Sequence, residues 1–190
     1  MNNIKTISLE DINDKTIIDI NYPYIEKNNP VILDINKDIE ENIMIFKEVA
    51  QEEIKLMDEE KYLSYINTDY KVYKNTDELI NIVIEFYQCT GFYYIEYISS
   101  YNYDFLLDRS ISLDDIFKNE IYKMYNIIDN NQSFYIEDDG VIVCFSSYEY
   151  NLETEEIVKI KILFKEAEEY LTEYTIRRLW KIWEKIIKIW

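Results

Sequence analysis

The chain has 190 residues, 48% apolar and 31% charged, with a net charge of −18 and no histidine. That length suits one domain, or one domain with two lobes, and the apolar share excludes a disordered chain. The charge argues against a nucleic-acid ligand, because cations must replace the counterions condensed on phosphates. The missing histidine removes Ser–His and Cys–His pairs from the chain.

Residues 4–9 (IKTISL) and 15–20 (KTIIDI) read as short strands separated by EDIND. In NYPYIEKNNP, Pro23 and Pro30 are expected to stop any ladder or helix. From Asn36 the period changes. Ile35, Ile39, Ile43, Phe46, Ala50, Ile54 and Met57 fall three or four apart, which predicts an amphipathic helix with Asp34 or Asn36 as its cap. After DEEK, YKVYKN alternates weakly, and LINIVIEFYQCT is apolar enough for a central strand. In GFYYIEYISSYNYDF, Tyr93, Ile95, Tyr97, Tyr101, Tyr103 and Phe105 take alternate positions, so the aromatics share one face.

SISLDDIFKNEIYKMYNIID predicts one helix, with Ser112 three residues before Asp115 in capping-box spacing. FYIE and VIVCFSSY then pair around Asp139-Gly140, a tight turn expected to need positive φ at the glycine. IVKIKILF is a further strand, and KEAEEYLTEY begins the last helix. Strands come in neighbouring pairs with helices inserted singly. The fold class is therefore α+β, a mostly antiparallel twisted sheet with amphipathic helices packed on one face. Residues 1–175 read as a single domain with lobes at about 1–75 and 76–175, followed by a basic amphipathic helix over 176–190.

Cys89 and Cys144 are too few and too far apart for a zinc site. Both fall in strand patterns, so two buried thiols are expected rather than a disulfide. The opening MNNIKTISLEDIND has no apolar core of a signal peptide, and no run approaches the roughly 20 apolar residues of a membrane span. As written, the chain is expected to be soluble and to stay where it is made, with its compartment left open.

Carboxylate doublets are the remaining source of chemistry: Glu52-Glu53, Asp114-Asp115, Asp138-Asp139 and Glu155-Glu156. General acid and base need one raised and one ordinary carboxyl held at fixed separation. Neighbours on a strand point to opposite faces, so these doublets read as structural or solvating. No nucleophile elbow, phosphate loop or zinc-protease motif occurs. No catalytic residue, cofactor or metal ligand is expected.

Two surfaces stand out for binding. Tyr93, Tyr97, Tyr101 and Tyr103 form either the core beneath the helices or a flat platform for a glycan or a partner. The stretch IRRLWKIWEKIIKIW sets Arg177, Arg178, Lys181, Lys185 and Lys188 against Glu184 alone and holds Trp180, Trp183 and Trp190. A helix of that pattern folds back on the acidic body, or lies on an anionic membrane surface or in a partner's groove.

The order of these pieces resembles the extracytoplasmic domain of the RsiV-type anti-sigma factor, which is shared with a non-catalytic region of the PdaC-type peptidoglycan deacetylase. The resemblance spans roughly residues 16–172 and rests on IDINYPYI (18–25), INKDIEENI (35–43), INIVIEFYQCTG (80–91), NYDF (102–105), ISLDDIF (111–117), FYIEDDGVIVCFSSYE and IVKIKILFKEAEEYL. The chain reads CTGFYYIE where family members usually carry Gly-Gly-Ala-His, and it does not show their N-terminal membrane span. A sigma-regulating role is therefore not carried over. The resemblance implies a non-catalytic binding or sensing module, since in the anti-sigma factor this domain looks like a receptor for lysozyme, a basic protein. With the charge, it leads us to expect an acidic surface that recognises a basic protein or a cell-wall component. The alternatives are a carboxylate-based hydrolase acting on glycan or peptide, and an assembly protein using its C-terminal helix. The oligomeric state is left open.

Overall fold

The computed structural model describes residues 2–56, 63–90, 93–146 and 157–180. Strands β1 (Asn3–Ile12), β2 (Thr16–Glu26), β3 (Ser64–Asn75), β4 (Leu79–Thr90), β5 (Tyr93–Asp104) and β6 (Arg109–Ser110) form one sheet in chain order. Every neighbouring pair is antiparallel except β2 and β3, which run parallel from Thr16↔Ser64 to Ile20↔Thr68. A parallel pair needs a crossover. Helix α1 (Pro30–Leu56) supplies it and lies on one face of the sheet.

The smaller sheet, β7 (Phe134–Ile136), β8 (Gly140–Phe145) and β9 (Val158–Leu163), is wholly antiparallel. It packs between the other face of the large sheet and two short helices, α2 (Leu113–Ile116) and α3 (Glu120–Tyr125). The alternation along β8 makes this work. Ile142 and Cys144 join Val83 of the large sheet, while Val141, Val143 and Phe145 join Ile116 and Ile121 of the helices. Six buried positions in a row mark β8 as a central strand covered on both sides. The α+β class with mostly antiparallel strands is as the sequence indicates, and the strands divide into two sheets rather than the one expected. The 75/76 boundary between the expected lobes falls in the turn between β3 and β4, which pair from Tyr65↔Cys89 to Asn75↔Ile80.

Several local expectations are corrected. Pro23 lies inside β2, opposite Thr6, and is tolerated because the ladder to β3 ends at Ile20↔Thr68. Pro30 is the first residue of α1, where the missing amide proton would have no helical partner. Asn29 serves the helix start instead of Asp34 or Asn36, its Oδ1 accepting the Val31 N–H at 2.9 Å. Asn36 is buried and exchanges hydrogen bonds with the backbone of Ile25, at 2.9 and 3.0 Å.

The single helix expected over 110–129 is two helices, because Phe117 is extended and pairs with Leu171 across an isolated bridge. For the same reason KEAEEYLTEY does not begin a long helix. Leu171 must reach the core, so the chain makes a 3-10 turn over Glu168–Tyr170, then a π-helical turn over Thr175–Trp180. The capping box of Ser112 and Asp115 forms as expected, the Asp115 carboxylate accepting the Ser112 N–H at 2.8 Å. Gly140 is required for space rather than for positive φ. A Cβ there would stand 2.3 Å from the Ile162 carbonyl oxygen. Cys89 and Cys144 are free thiols, Cys144 being buried.

Candidate binding cleft

At the end of β5 the chain turns through Phe105–Asp108, and Asp108 takes the left-handed conformation at φ 52°. Asp104 organises that turn. Its Oδ1 accepts the N–H groups of Leu106 and Leu107 at 2.9 and 3.1 Å. Its Oδ2 accepts the Tyr174 hydroxyl at 2.9 Å and the Arg178 Nη2 at 3.1 Å. Asp104 is 0% exposed, so an unpaired charge here would cost several kcal/mol, roughly the desolvation penalty of one ion. Burial alone would raise its pKa. The Tyr174 hydroxyl, the two amides and the Arg178 charge outweigh that and hold the carboxyl below its ordinary value. Burial and the Asp104 charge in turn push the Tyr174 phenol up.

Arg178 also reaches the exposed carboxylate of Glu78, at 3.3 Å. Its Nε is buried and has no hydrogen-bond partner among the described residues. Glu78 sits in the β3–β4 turn, which Thr76 fixes by accepting the Leu79 N–H on its hydroxyl at 2.9 Å. Between this turn, Asp104, the π-helical turn and the β7–β8 turn lies a cleft of about 220 Å³. Leu79, Ile136 and Leu179 give it apolar walls, and Lys74, Glu78, Glu137 and Asp138 line it with charge.

The β7–β8 turn carries Glu137, Asp138 and Asp139 in succession. Lys161 reaches both Glu137 and Asp139 at 2.8 Å, and Lys74 pairs with Asp138. The Lys161 ammonium holds the Asp139 carboxyl below its usual range. These pairs are exposed, so each is worth little and exchanges readily with solvent or an incoming charge. The Asp114-Asp115 doublet is tied into local structure. Asp114 accepts the Tyr122 hydroxyl at 2.5 Å and the Asn130 amide at 2.7 Å, while Asp115 accepts a bidentate pair from Arg109 at 2.6 and 2.9 Å. Glu155-Glu156 lies outside the described residues. Among the described residues, no three acids or thiols stand close enough to share a metal ion.

Of the tyrosines singled out in the sequence, Tyr97, Tyr101 and Tyr103 lie elsewhere, in the core under α1. Tyr97 stacks on Phe86 at 4.5 Å and meets Phe46 edge-on at 5.9 Å. The Tyr101 hydroxyl accepts the Asn42 amide at 2.7 Å, and Tyr103 is buried with its hydroxyl donating to Asp108 at 3.0 Å. Burial pushes the phenols of Tyr97 and Tyr103 up to about 12. Tyr93 begins β5 opposite Thr90, and its side chain lies outside the described residues. Trp180 is half-buried against the core beneath α2 and α3, and Trp183 and Trp190 lie outside the described residues.

The cleft residues were not legible as a group. Asp104 belongs to NYDF and Arg178 to the basic tail, but 74 positions separate them. No local pattern reports a pairing over that distance.

The sequence matches no protein-family profile and no curated protein. Solved structures share the fold. A DUF3298 family protein from Pseudomonas aeruginosa superposes with a TM-score of 0.65 at 13% identity, covering 92% of this chain and 96% of its own. A DUF3298 family member from Bacteroides fragilis gives 0.56 at 16% identity, covering 95% of this chain and 97% of its own.

Proposed function

We propose that this chain is a non-catalytic binding or sensing module that presents an acidic surface to a basic protein of lysozyme type or to a cell-wall ligand. The cleft carries the reading. Its apolar walls suit the methylene stem of a long basic side chain, and the exposed carboxylates of Glu78 and Asp138 suit the charged head. Arg178 stays anchored on Asp104, but its pair with the exposed Glu78 and the Lys74 pair with the exposed Asp138 are ones that a partner's cation displaces at little cost. A net charge of −18 adds a long-range field that draws such a partner in. The fold shared with DUF3298 proteins, in the family direction to which the sequence resemblance points, agrees with this role.

Titration with hen lysozyme as the basic probe, at several salt concentrations, tests it. Association that is strong at low salt and weakens steeply as salt rises is the expected result. Absence of binding at low salt overturns the basic-protein reading.

A further inference from the structure

Strand β1 ends the large sheet, and among the described residues no strand lies beyond it. Its ten residues pair with β2 without a bulge, from Asn3↔Glu26 to Ile12↔Ile17. An open edge of this length is a template for another strand, and proteins commonly blunt one with proline, lysine or a very short run. The other terminal strands are blunted in that way. β6 has two residues, β7 has three, and β9 carries Lys159 and Lys161. β1 has no proline and one lysine, Lys5.

The hairpin determines which backbone groups are open. The Asn13 N–H bonds the Thr16 carbonyl at 2.9 Å, a bonded pair next to the turn. Bonded pairs alternate along an antiparallel ladder, so the odd-numbered residues of β1 bond to β2. The N–H and C=O groups of Ile4, Thr6, Ser8, Glu10 and Ile12 therefore point outward. Thr6, Ser8, Glu10 and Ile12 are exposed, Ile12 to 72%.

A second copy of β1 fits this edge. Across a two-fold axis the two strands run antiparallel, and outward-bonding residues must face one another, so the axis passes through a residue. Centred on Ser8, the pairing is self-complementary. Ile4 then faces Ile12 of the second copy, Ile7 faces Leu9, and Lys5, now in a surface pair with Glu26, faces Asp11. Centring on Ile7 instead sets Ile4 against Glu10 and Lys5 against Leu9. Centring on Leu9 sets Ile7 against Asp11 and Thr6 against Ile12. Apolar and opposite-charge pairs stabilise a ladder, which selects the Ser8 register. We propose that two copies join β1 to β1 in this register, so that the large sheet continues across the axis of a dimer. This proposal is independent of the cleft.

Light scattering and sedimentation on the full chain test it. The measured mass is expected to rise from one chain towards two with concentration. Two chains of net charge −18 repel, so added salt is expected to strengthen the association. Two variants test the register. Lys5→Glu sets a glutamate opposite Asp11, and Asp11→Lys sets a lysine opposite Lys5. Each alone is expected to stay monomeric while circular dichroism shows it folded. Mixed in equal amounts they are expected to associate again, because every facing charge is then opposite. A wild-type monomer at every concentration and salt overturns the proposal, even where its edge then takes up an extended peptide. Association that survives in each variant alone, or a mixture that stays monomeric, overturns it equally.

Discussion

Strand β4 turns Ile80, Ile82, Ile84 and Phe86 towards α1, where they meet Ile39, Ile43 and Phe46. Towards the small sheet it turns Asn81, Val83 and Glu85. There the contact is largely polar. Asn81 accepts the Ile136 N–H at 2.9 Å and is itself bonded to Asn102, whose amide donates to the Phe134 carbonyl at 2.9 Å. The Ser100 hydroxyl accepts the Phe134 N–H at 3.0 Å, and the Ser133 hydroxyl donates to the Ile98 carbonyl at 2.8 Å. Side chains of one sheet thus bond to the backbone of the other. Apolar burial on the α1 side tolerates repacking, whereas a buried polar seam fixes one register, because each donor left without a partner is costly. The seam holds β7 in place, and with it the acidic turn that lines the cleft.

Substitutions can break or sharpen that contrast. The largest effect is expected in the small sheet itself. Gly140→Ala drives a methyl against the Ile162 carbonyl oxygen and is expected to cost about 3 kcal/mol or more, read as a fall in thermal midpoint. On the α1 side, Ile82→Ala removes a fully buried side chain and is expected to cost about 2–5 kcal/mol in urea unfolding. Ile82→Leu there is expected to cost less than about 1.5 kcal/mol. On the seam side, Asn81→Ala strands the Ile136 N–H and is expected to cost roughly 1–3 kcal/mol. Unlike the apolar side, the seam is not expected to recover with Leu of similar size, since Leu restores volume without the acceptor. Equal recovery on both faces would remove the distinction.

Acid sensitivity is a milder test. The Asp104 carboxyl lies below its ordinary value of 3.8 in the folded chain, so folding favours its ionised form. That contribution is fully present above the unfolded pKa and is lost as pH falls through the folded one. Urea midpoints are expected to hold from pH 7 to about 5 and to drop below about 4, with a smaller drop in Asp104→Asn. The smallest effect belongs to the exposed Lys159–Glu85 pair, where Lys159→Met is expected to change stability by less than about 1 kcal/mol.

What the sequence conveyed follows from the same contrast. A run of apolar residues exposed β4, and a period of three to four exposed the buried side of α1, because burial writes itself into local sequence. The β7–β8 hairpin was visible in FYIEDDGVIVCF, although the reason for its glycine lies in a neighbouring strand, at Ile162. The break at Phe117 and the interruption of the segment from Lys165 at Leu171 were not visible, since both follow from a bridge between residues 54 positions apart. The seam and the cleft were hidden for the same reason. Asn81, Asn102 and Asp104 look like ordinary strand-end polar residues until distant backbone or Arg178 reaches them.

The role rests on whether the cleft's exposed carboxylates, Glu78 and Asp138, meet the partner. The direct measurement compares the wild-type chain with a Glu78→Gln, Asp138→Asn double variant in calorimetric titration of lysozyme at low salt. Because the variant removes two of many negative charges, general attraction changes little, and a cleft that holds the partner's cation predicts at least a tenfold weaker association. Wild-type affinity in the folded variant would contradict the assignment of this cleft.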